Sequence, residues 1–375
     1  MRVLYLTPGC FDKGGISRYC RYQIAALRNI DSIDHILTLS LLGRDLHSFE
    51  EEFKITWSAN GNSLINKMLF SFKAIITTIY FRPDVIHVAH INLSFLGFLC
   101  SKISKSRLVL NVYGLEIWSG LKYSSRIGLA KSDNIISDCH STKNYILKNL
   151  EVHENKIEVI WDCVDINKFK PVILDYNVLG KYNIPSKIDF FNILTLGRLS
   201  KTSRHKGFER LIDVFKRIHI KYPLTRLIIA GKGDDLNRLE RLVNKLDIKD
   251  YIIFTGEIHE DDLCMIYNSS NIFSLVSQKG DMMGEGIPLT PLEAMACNLP
   301  IIVGNQDGSK EAIFNDENGF SIDPFDIDKH EECLISFIEN KELTKRMSQN
   351  SLEIIRKYFS FSEFEIKHIE LYKQF

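Results

Sequence analysis

The chain has 375 residues, 45% of them hydrophobic and 25% charged, which predicts an ordinary soluble protein of about two domains. Eight dispersed cysteines without a C-x-x-C pair, and a first apolar run too short for a secretory signal, favour a cytoplasmic protein with reduced thiols. The formal net charge is zero, but residues 1–150 carry 18 Lys or Arg against 11 Asp or Glu, a bias that suits an anionic acceptor or membrane surface as readily as it reflects scatter.

The chain begins with a strand, a glycine loop and a helix. Arg2–Thr7 predicts a short apolar strand, and the Gly14-Gly15 pair precedes a stretch with helical spacing. This is the first unit of a doubly wound sheet, in which ligands bind beyond the carboxyl ends of the strands. Gly14 and Gly15 are therefore candidate ligand contacts, with a plain tight turn as the alternative. The loop lacks the full G-x-G-x-x-G pattern, so a dinucleotide site is disfavoured.

The same alternation continues through the first half of the chain. Strands are predicted at 36–41, 84–88, 108–112, 134–137 and 158–161, and helices at 64–80 and 142–150. The most membrane-like run, Leu64–Phe81, is interrupted by Lys67 and Lys73, and Ile86–Cys100 is short. Neither provides the roughly 20 uninterrupted apolar residues that a bilayer requires, so we expect no membrane crossing. We predict a buried amphipathic helix at 64–80, with a helix lying on a membrane as the alternative.

Candidate polar residues follow two of these strands. Tyr113 and Glu116 close the strand at 108–112, where the Tyr113 hydroxyl can donate and accept a hydrogen bond but is neutral near pH 7. His87 and His90 end or follow another strand, and such a pair is more often structural than catalytic.

A second α/β series follows an irregular polar stretch at 171–189. The strand Phe191–Leu196 opens into Arg198 and reaches Lys206 before a predicted helix at Phe208–Ile220. A guanidinium offers a rigid fork of donors to phosphate oxygens, and an ammonium adds a compact charge beside it. We predict that Arg198 and Lys206 lie over a ligand cleft, whereas nearby Lys201 and Arg204 are typical of a solvated basic loop.

Later segments complete this series. Strands are predicted at 227–230, 251–255, 271–275 and 300–303, followed by a helical region from 343 to 375 that is broken near Phe359. The D-x-D string Asp326-Ile327-Asp328 follows a proline and precedes a helical pattern, so we interpret it as a helix N-cap and not as a metal site.

The most informative stretch is Gly284–Ala296, which runs G-E-G-I-P-L-T-P-L-E-A-M-A. Gly286 would let backbone approach a ligand, and Pro291 suits the first turn of a helix, which would place Glu293 in that turn. The free N–H groups of a helix N-terminus suit phosphate, and carboxylates accept hydrogen bonds from paired sugar hydroxyls. Glu285 and Glu293 around such a terminus suggest a sugar nucleotide, and an amphipathic helix with one capping acid is the alternative.

This stretch resembles the E-x7-E signature of retaining GT-B glycosyltransferases, especially glycosyltransferase family 4. Asp162–Pro171 is similar to the family's N-G-V-D-x-x-x-F-x-P string, and Asp307–Glu311 to its G-G-x-x-E turn. The resemblance implies the GT-B fold, two Rossmann-like doubly wound domains that face a central cleft. Residues 1–170 would form the acceptor-side domain with a terminal helix, 358–375, packing back onto it. Residues 171–189 would be a linker, and 190–357 the nucleotide-sugar domain.

The resemblance also implies a reaction and a site. It implies a retaining transfer of a sugar from a nucleoside-diphosphate donor to a glycan or lipid-linked oligosaccharide, in bacterial surface polysaccharide synthesis, without metal or other cofactor and without nucleic acid. Glu285, Arg198 and Lys206 would be catalytic, and Tyr113 and Glu116 would lie on the acceptor side. The implied donor contacts are Glu293, Gly286, Ile287, Pro288, Leu289, Thr290, Gly14 and Gly15. Tyr113 stands where relatives carry His, and it cannot supply the positive charge of that residue.

Several alternatives stay open at this level. A sugar-nucleotide epimerase of the same fold would need no acceptor, and an inactive homologue would only bind glycan. A nicotinamide-dependent oxidoreductase is disfavoured because no strand is followed by the full glycine fingerprint. We expect a cytoplasmic protein that could contact the inner face of the membrane through its first domain. The sequence does not choose between uracil, guanine and other bases of the donor.

Overall fold

A computed structural model of the protein describes residues 1–10, 14–42, 55–59, 61–118, 120–280 and 283–375. The chain divides into two compact units, one formed by 1–163 with 361–375 and the other by 164–360. The second unit thus begins before the expected linker at 171–189 and includes it. That stretch is not wholly irregular, since it contains a short helix, Tyr176–Lys181, which Asp175 caps by accepting a hydrogen bond from the backbone N–H of Asn177 at 2.9 Å.

The first unit is built on a seven-stranded parallel sheet. Its strands are β1 (Arg2–Thr7), β2 (His35–Ser40), β3 (Trp57–Ser58), β4 (Val85–Val88), β5 (Arg107–Val112), β6 (Asn134–Ser137) and β7 (Ile157–Val159). Its helices before the second unit are α1 (Gly15–Arg28), α2 (Leu64–Phe81), α3 (Ser94–Ser104), α4 (Leu115–Trp118), α5 (Tyr123–Ala130) and α6 (His140–Asn149). The strand order is β3-β2-β1-β4-β5-β6-β7.

Both faces of this sheet are covered. Leu4 and Leu6 of β1 belong to one apolar cluster, whereas Val3 and Tyr5 belong to the cluster on the opposite face. Successive side chains of a strand point to opposite faces, so a parallel strand covered on both sides must be apolar throughout. This is why Arg2–Thr7 shows a continuous apolar run in place of alternation.

Helix α2 differs from the buried amphipathic helix that the sequence favours. Only Phe70, Ala74 and Thr78 are buried, at a four-residue spacing that makes one narrow contact stripe. Ile75 and Phe81 are partly buried against the core cluster, but most of its other apolar side chains face outward, and Leu64 and Phe72 are 75% and 65% exposed. By length and composition alone this helix could also cross a membrane. Hydropathy predicts that the helix is apolar, but it does not predict which side neighbouring elements cover.

The second unit contains a six-stranded parallel sheet in the order β10-β9-β8-β11-β12-β13. Its strands are β8 (Phe191–Leu196), β9 (Thr225–Ala230), β10 (Ile252–Gly256), β11 (Ile272–Leu275), β12 (Ile301–Gly304) and β13 (Gly319–Ile322). Its helices are α7 (Tyr176–Lys181), α8 (Phe208–Lys221), α9 (Leu236–Lys245), α10 (Leu263–Asn268), α11 (Leu289–Ala296), α12 (Ile327–Glu339) and α13 (Lys341–Tyr358).

Each sheet has one point at which the strand order reverses direction. In the second unit this point lies between β8 and β11, which pair in parallel through Ile272 with Ile193 and Phe273 with Leu194. In the first unit it lies between β1 and β4. Ligands of doubly wound sheets bind at the carboxyl ends of such strands, because the flanking loops separate there. The loops after β8 and β11 carry Arg198, Lys206 and Glu285.

The last helix, α14 (Phe361–Tyr372), completes the first unit. Phe364 packs edge-on against Tyr19 of α1, with ring centroids 5.1 Å apart. His368 Nε2 lies 2.8 Å from Gln23 Nε2, and Tyr372 donates to or accepts from His87 Nδ1 at 2.6 Å. A buried polar network therefore joins the end of the chain to the centre of the first sheet.

Burial keeps the histidines of this network neutral. It lowers the pKa of His87 to about 3 and that of His368 to about 4, because a buried imidazole cannot be solvated as a cation. Their contribution to stability is therefore complete above the unfolded-state pKa near 6.5. It is lost as the pH falls from that value towards the folded-state values, since the unfolded chain then binds more protons.

We expect the free energy of unfolding of the first unit to fall between pH 7 and pH 5 by on the order of 2 kcal/mol for each of these histidines. Denaturant titrations followed by tryptophan fluorescence can measure this, because all three tryptophans (Trp57, Trp118 and Trp161) lie in the first unit. The variant His368→Gln should lose its share of this pH dependence. The matched variant His153→Gln, at an exposed position, should keep the wild-type dependence; equal pH dependence in all three proteins would contradict the assignment.

Candidate functional site

The loop between β8 and α8 carries the predicted cations. After Gly197 it passes Arg198 and forms a short 3-10 helix, Lys201–Lys206, which ends at Gly207 with φ of +79°. A Cβ atom on Gly207 would lie 2.5 Å from the carbonyl oxygen of Val276, so this close turn requires glycine. The turn directs Lys206 back across the end of β8, where a Cβ on Gly197 would lie 3.2 Å from Lys206 Cδ.

Lys206 meets Glu285, which lies on the loop after β11. Its Nζ donates to Glu285 Oε1 at 2.6 Å, and the same oxygen lies 2.8 Å from His205 Nε2. Burial alone would raise the pKa of Glu285, but the charge of Lys206 and the two hydrogen bonds outweigh it and hold the pKa at about 2. The structure therefore brings together two residues that are 79 positions apart in sequence, an ionised acid and a cation.

Asp307 fixes the backbone of the Glu285 loop. Its Oδ2 accepts hydrogen bonds from the Glu285 N–H and the Ser277 hydroxyl, both at 2.9 Å, and Oδ1 accepts from the Ser309 N–H at 3.0 Å. Gly308 N–H donates in return to the Glu285 carbonyl at 3.1 Å. Asp307, which replaces a glycine of the family pattern, is thus a support for Glu285. Within this loop, Gly284 and not Gly286 has a positive φ, +142°.

Glu293 lies deeper than the sequence predicts. Helix α11 begins at Leu289, with Pro288 as its N-cap, so Glu293 occupies the second turn and not the first. Pro291 at the third position is still tolerated, because the first N–H groups of a helix have no partner within it. The Glu293 side chain is 2% exposed, and its Oε2 accepts a hydrogen bond from the Tyr267 hydroxyl at 2.6 Å.

The start of α11 presents backbone groups. No described side chain caps this N-terminus, and the side chains of Ile287, Pro288 and Leu289 are buried. Gly286 and Thr290 are half-buried. A ligand at this end would therefore meet main-chain N–H groups and the positive end of the helix dipole in place of these apolar side chains.

Arg198 and Arg204 have different surroundings. Arg198 is exposed, and none of the residues that the structure describes forms an ion pair with it. Arg204 is exposed, as the sequence predicts for a solvated residue, with 48% of its side chain accessible, but its Nη2 also lies 2.6 Å from Asp235 Oδ1. Hydrogen bonds from Arg238 and Arg204 lower the pKa of Asp235 to about 2. Arg204 therefore braces the loop against the start of α9, whereas the charge of Arg198 is available.

The predicted acceptor-side residues lie in the first unit. Tyr113 follows β5, is 8% exposed and accepts a hydrogen bond from Asn111 Nδ2 at 3.0 Å. Burial raises its pKa well above the usual value, so it is a neutral phenol. Glu116 Oε1 accepts from the backbone N–H of Tyr113 at 2.6 Å, which ties the carboxylate to its own turn.

The Gly14-Gly15 pair begins α1, next to this turn. Gly14 is the N-cap with φ of −72°, so it does not use the left-handed conformations that only glycine favours, and its carbonyl accepts from the Arg18 N–H at 3.0 Å. Tyr19 of the same helix packs edge-on against Tyr113, with ring centroids 5.2 Å apart. Lys13 lies outside the described residues.

Two structural interpretations from the sequence are confirmed. His87 is buried in the polar network, and His90 Nδ1 accepts from the Asn92 N–H at 3.1 Å, so it caps a short turn. Asp326 caps α12, because its Oδ1 accepts from the Lys329 N–H at 2.8 Å.

The sequence pattern does not predict His205 and Tyr267 as partners of the two glutamates. His205 immediately precedes Lys206, and the shared loop was its only signal. Tyr267 is 26 residues from Glu293 and fully buried, so it looks like an ordinary core residue of α10.

Each half of the chain matches a family model of glycosyltransferases. The family model described as glycosyl transferases group 1 matches residues 184–353, and the one described as glycosyltransferase family 4 matches 13–168. A solved structure, Anabaena Alr3699/HepE in complex with UDP, superposes over the whole of both chains with a TM-score of 0.83 at 17% identity. That likeness shows the fold, two Rossmann-like units of the GT-B class.

Three relatives illustrate the range of similarity. An uncharacterised glycosyltransferase of Haemophilus influenzae is 35% identical over 180 residues, which are 48% of this chain and 48% of that protein. The capsular polysaccharide biosynthesis glycosyltransferase CapM of Staphylococcus aureus is 25% identical and aligns over 91% of this chain and 89% of its own. An Escherichia coli UDP-Gal:alpha-D-GlcNAc-diphosphoundecaprenol alpha-1,3-galactosyltransferase is 28% identical over 72% of this chain and 63% of its own.

Proposed function

The chain belongs to the group 1 glycosyltransferases, and we propose on that premise that it transfers a sugar from a nucleoside-diphosphate donor to a hydroxyl of a glycan or lipid-linked oligosaccharide, with retention of anomeric configuration. The observation that carries the proposal is the contact between Lys206 and Glu285 at the point where the second sheet reverses its strand order. A cation and a helix N-terminus at this point suit the negatively charged diphosphate of a sugar nucleotide. The ionised acid beside them suits the hydroxyl groups of the donor sugar, which donate hydrogen bonds.

In this proposal the protein acts mainly on the leaving diphosphate. Negative charge grows on the diphosphate as the bond to the sugar breaks, so fixed donors near it favour the transition state over the bound substrate. Lys206, the available guanidinium of Arg198 and the N-terminus of α11 would supply this charge, and the reaction would need no metal. Glu285 would orient the donor sugar.

Other residues would hold the rest of the substrates. Glu293 would accept hydrogen bonds from the ribose hydroxyls, with Tyr267 fixing the carboxylate. The backbone from Gly286 to Thr290 would surround the phosphates. Gly14 and Gly15 stay predicted donor contacts, and Tyr113 and Glu116 predicted acceptor-side residues. Because Tyr113 is a neutral phenol, it would donate a hydrogen bond there but carry no charge.

We propose a UDP-sugar as the donor. The HepE structures were determined with UDP and with UDP-glucose, and the Escherichia coli relative is named for UDP-galactose. The name of CapM favours a product in capsular polysaccharide assembly, and the name of the Escherichia coli relative favours an acceptor linked to a lipid diphosphate. We propose that catalysis takes place in the cytoplasm.

The outward face of α2 and α3 suits contact with an anionic membrane, where a lipid-linked acceptor would lie. Both helices pack onto one core cluster, and α3 adds its own exposed stripe of Phe95, Leu99 and Ile103 at four-residue spacing. Residues 61–131 contain nine Lys or Arg but only two acids, Asp84 and Glu116. Exposed apolar side chains among basic residues are typical of a helix that lies in a bilayer interface.

We expect Lys206→Ala to lower the turnover of donor by roughly 10²–10³-fold, because it removes one preorganised charge from the leaving group. The measurement is steady-state release of UDP with acceptor present, with the anomeric configuration of the product read by NMR. Lys201→Ala is the matched control, since that exposed lysine lies on the same 3-10 helix. Undiminished turnover in Lys206→Ala would remove this residue from the mechanism.

We expect UDP to bind more tightly than GDP, ADP or dTDP in calorimetric titrations. In the same titrations, Glu293→Gln should weaken UDP binding roughly 10- to 100-fold, because the variant loses hydrogen bonds to a charged group. A 2′,3′-dideoxy analogue should bind wild type as weakly as UDP binds this variant, with no further loss when the two changes are combined. Tyr267→Phe keeps the carboxylate and should have a smaller effect. Wild-type affinity for UDP in Glu293→Gln would refute the ribose contact.

We expect the protein to float with vesicles that contain phosphatidylglycerol, less with pure phosphatidylcholine, and less at high salt, because screening weakens the basic contribution. Phe72→Glu should abolish flotation by placing a charge on the inserted face. Ile220→Glu, at a residue 73% exposed on the second unit, is the matched control and should float like wild type. Flotation of Phe72→Glu at the wild-type level would exclude α2 as the contact.

A further inference from the structure

His205 is fixed between the two loops of the proposed donor site. It is 6% exposed, and its carbonyl accepts a hydrogen bond from the Gln278 N–H, beyond β11, at 2.8 Å. This backbone contact fixes the position of the residue whatever its side chain. The imidazole is therefore not needed to anchor the loop, so the function of this side chain depends on the groups that the ring contacts.

The imidazole ring contacts Glu285 through one of its two nitrogens. Nε2 lies 2.8 Å from Glu285 Oε1, while Nδ1 is buried and has no hydrogen-bond partner among the described residues. An ionised carboxylate only accepts hydrogen bonds, so Nε2 carries the hydrogen and donates it. Leaving a buried ring nitrogen unpaired is unfavourable, which indicates that the contact to Glu285 has a use beyond packing.

The same carboxylate oxygen takes two donors. Lys206 Nζ lies 2.6 Å from Glu285 Oε1, and His205 Nε2 lies 2.8 Å from the same oxygen. The side chains of Lys206 and Glu285 are only 16% and 18% exposed. A buried carboxylate that loses its cation is strongly destabilised unless another donor remains. If Lys206 turns towards a diphosphate, the hydrogen bond from His205 stays on Glu285 Oε1 and reduces this penalty.

We propose that His205 is a positioning residue that holds the Glu285 carboxylate in place while Lys206 turns its charge to the donor diphosphate. The proposal rests on the function proposed above. His205 does not touch the substrate. It keeps the acid oriented for the donor sugar and lets one lysine serve first the acid and then the leaving group.

The pair His205→Gln and His205→Asn tests this role. The glutamine amide nitrogen can occupy the place of Nε2, whereas that of asparagine reaches only the place of Nδ1, so Gln should preserve the bond to Glu285 and Asn should lose it. We expect Asn to lower kcat roughly 10- to 100-fold, the effect of one hydrogen bond to a charged group, with the Kd for UDP little changed. Gln should retain most of the turnover, and Lys201→Ala should match wild type.

Equal kcat in the Asn and Gln variants would overturn the proposal, whether both retain activity or both lose it with a common fall in melting temperature. Absence of turnover in wild type with every UDP-sugar would instead refute the proposed function. In that case ring ¹⁵N NMR of the ligand-free protein still decides the geometry. The His205 signals should show hydrogen on Nε2 and should shift in Glu285→Gln, whereas hydrogen on Nδ1 would exclude the contact.

Discussion

The ionised pair formed by Glu285 and Lys206 depends on a property of parallel sheets. Strands β8 and β11 are neighbours in the sheet although about 80 residues separate them in sequence. Because they are parallel, the loops that follow them begin at the same edge of the sheet. The pairing of these strands therefore brings the cationic loop to the acidic loop. Asp307 then sets the backbone of the acid, and His205 shares its oxygen. The local chemistry follows from topology first and from side-chain contacts second.

The first unit places a different kind of polar group at its strand ends. Asn111 joins His87, Gln23 and Tyr113 in one buried network of neutral groups. Burial disfavours the charged forms of His87 and Tyr113 alike, so hydrogen bonds between neutral groups hold this network together, whereas an ion pair joins Lys206 to Glu285 in the second unit.

Much of the fold and part of the site could be predicted from the sequence. Buried parallel strands are short apolar runs, so Phe191–Leu196 and Asn134–Ser137 were placed at their observed bounds. Pro291 lies in the first turn of α11, as the sequence predicts, but Glu293 lies in the second turn and not the first, because proline is tolerated at several first-turn positions and does not mark the first residue. Burial of α2 was predicted wrongly, since periodicity does not report what covers a helix. His205 had no pattern of its own, because its partner is distant in sequence.

The place of α14 bears on how this protein is made. Its side chains complete the core of a unit whose other elements all precede Val164, so about 200 residues of the second unit intervene. During synthesis the first unit must leave the ribosome with its histidine network open on one side. It can close only after the final helix has emerged, whereas the second unit is complete in one continuous segment. The first unit therefore begins to be synthesised before the second but can complete its fold only after it. Until the final helix is available, the nascent first unit exposes polar groups of its core.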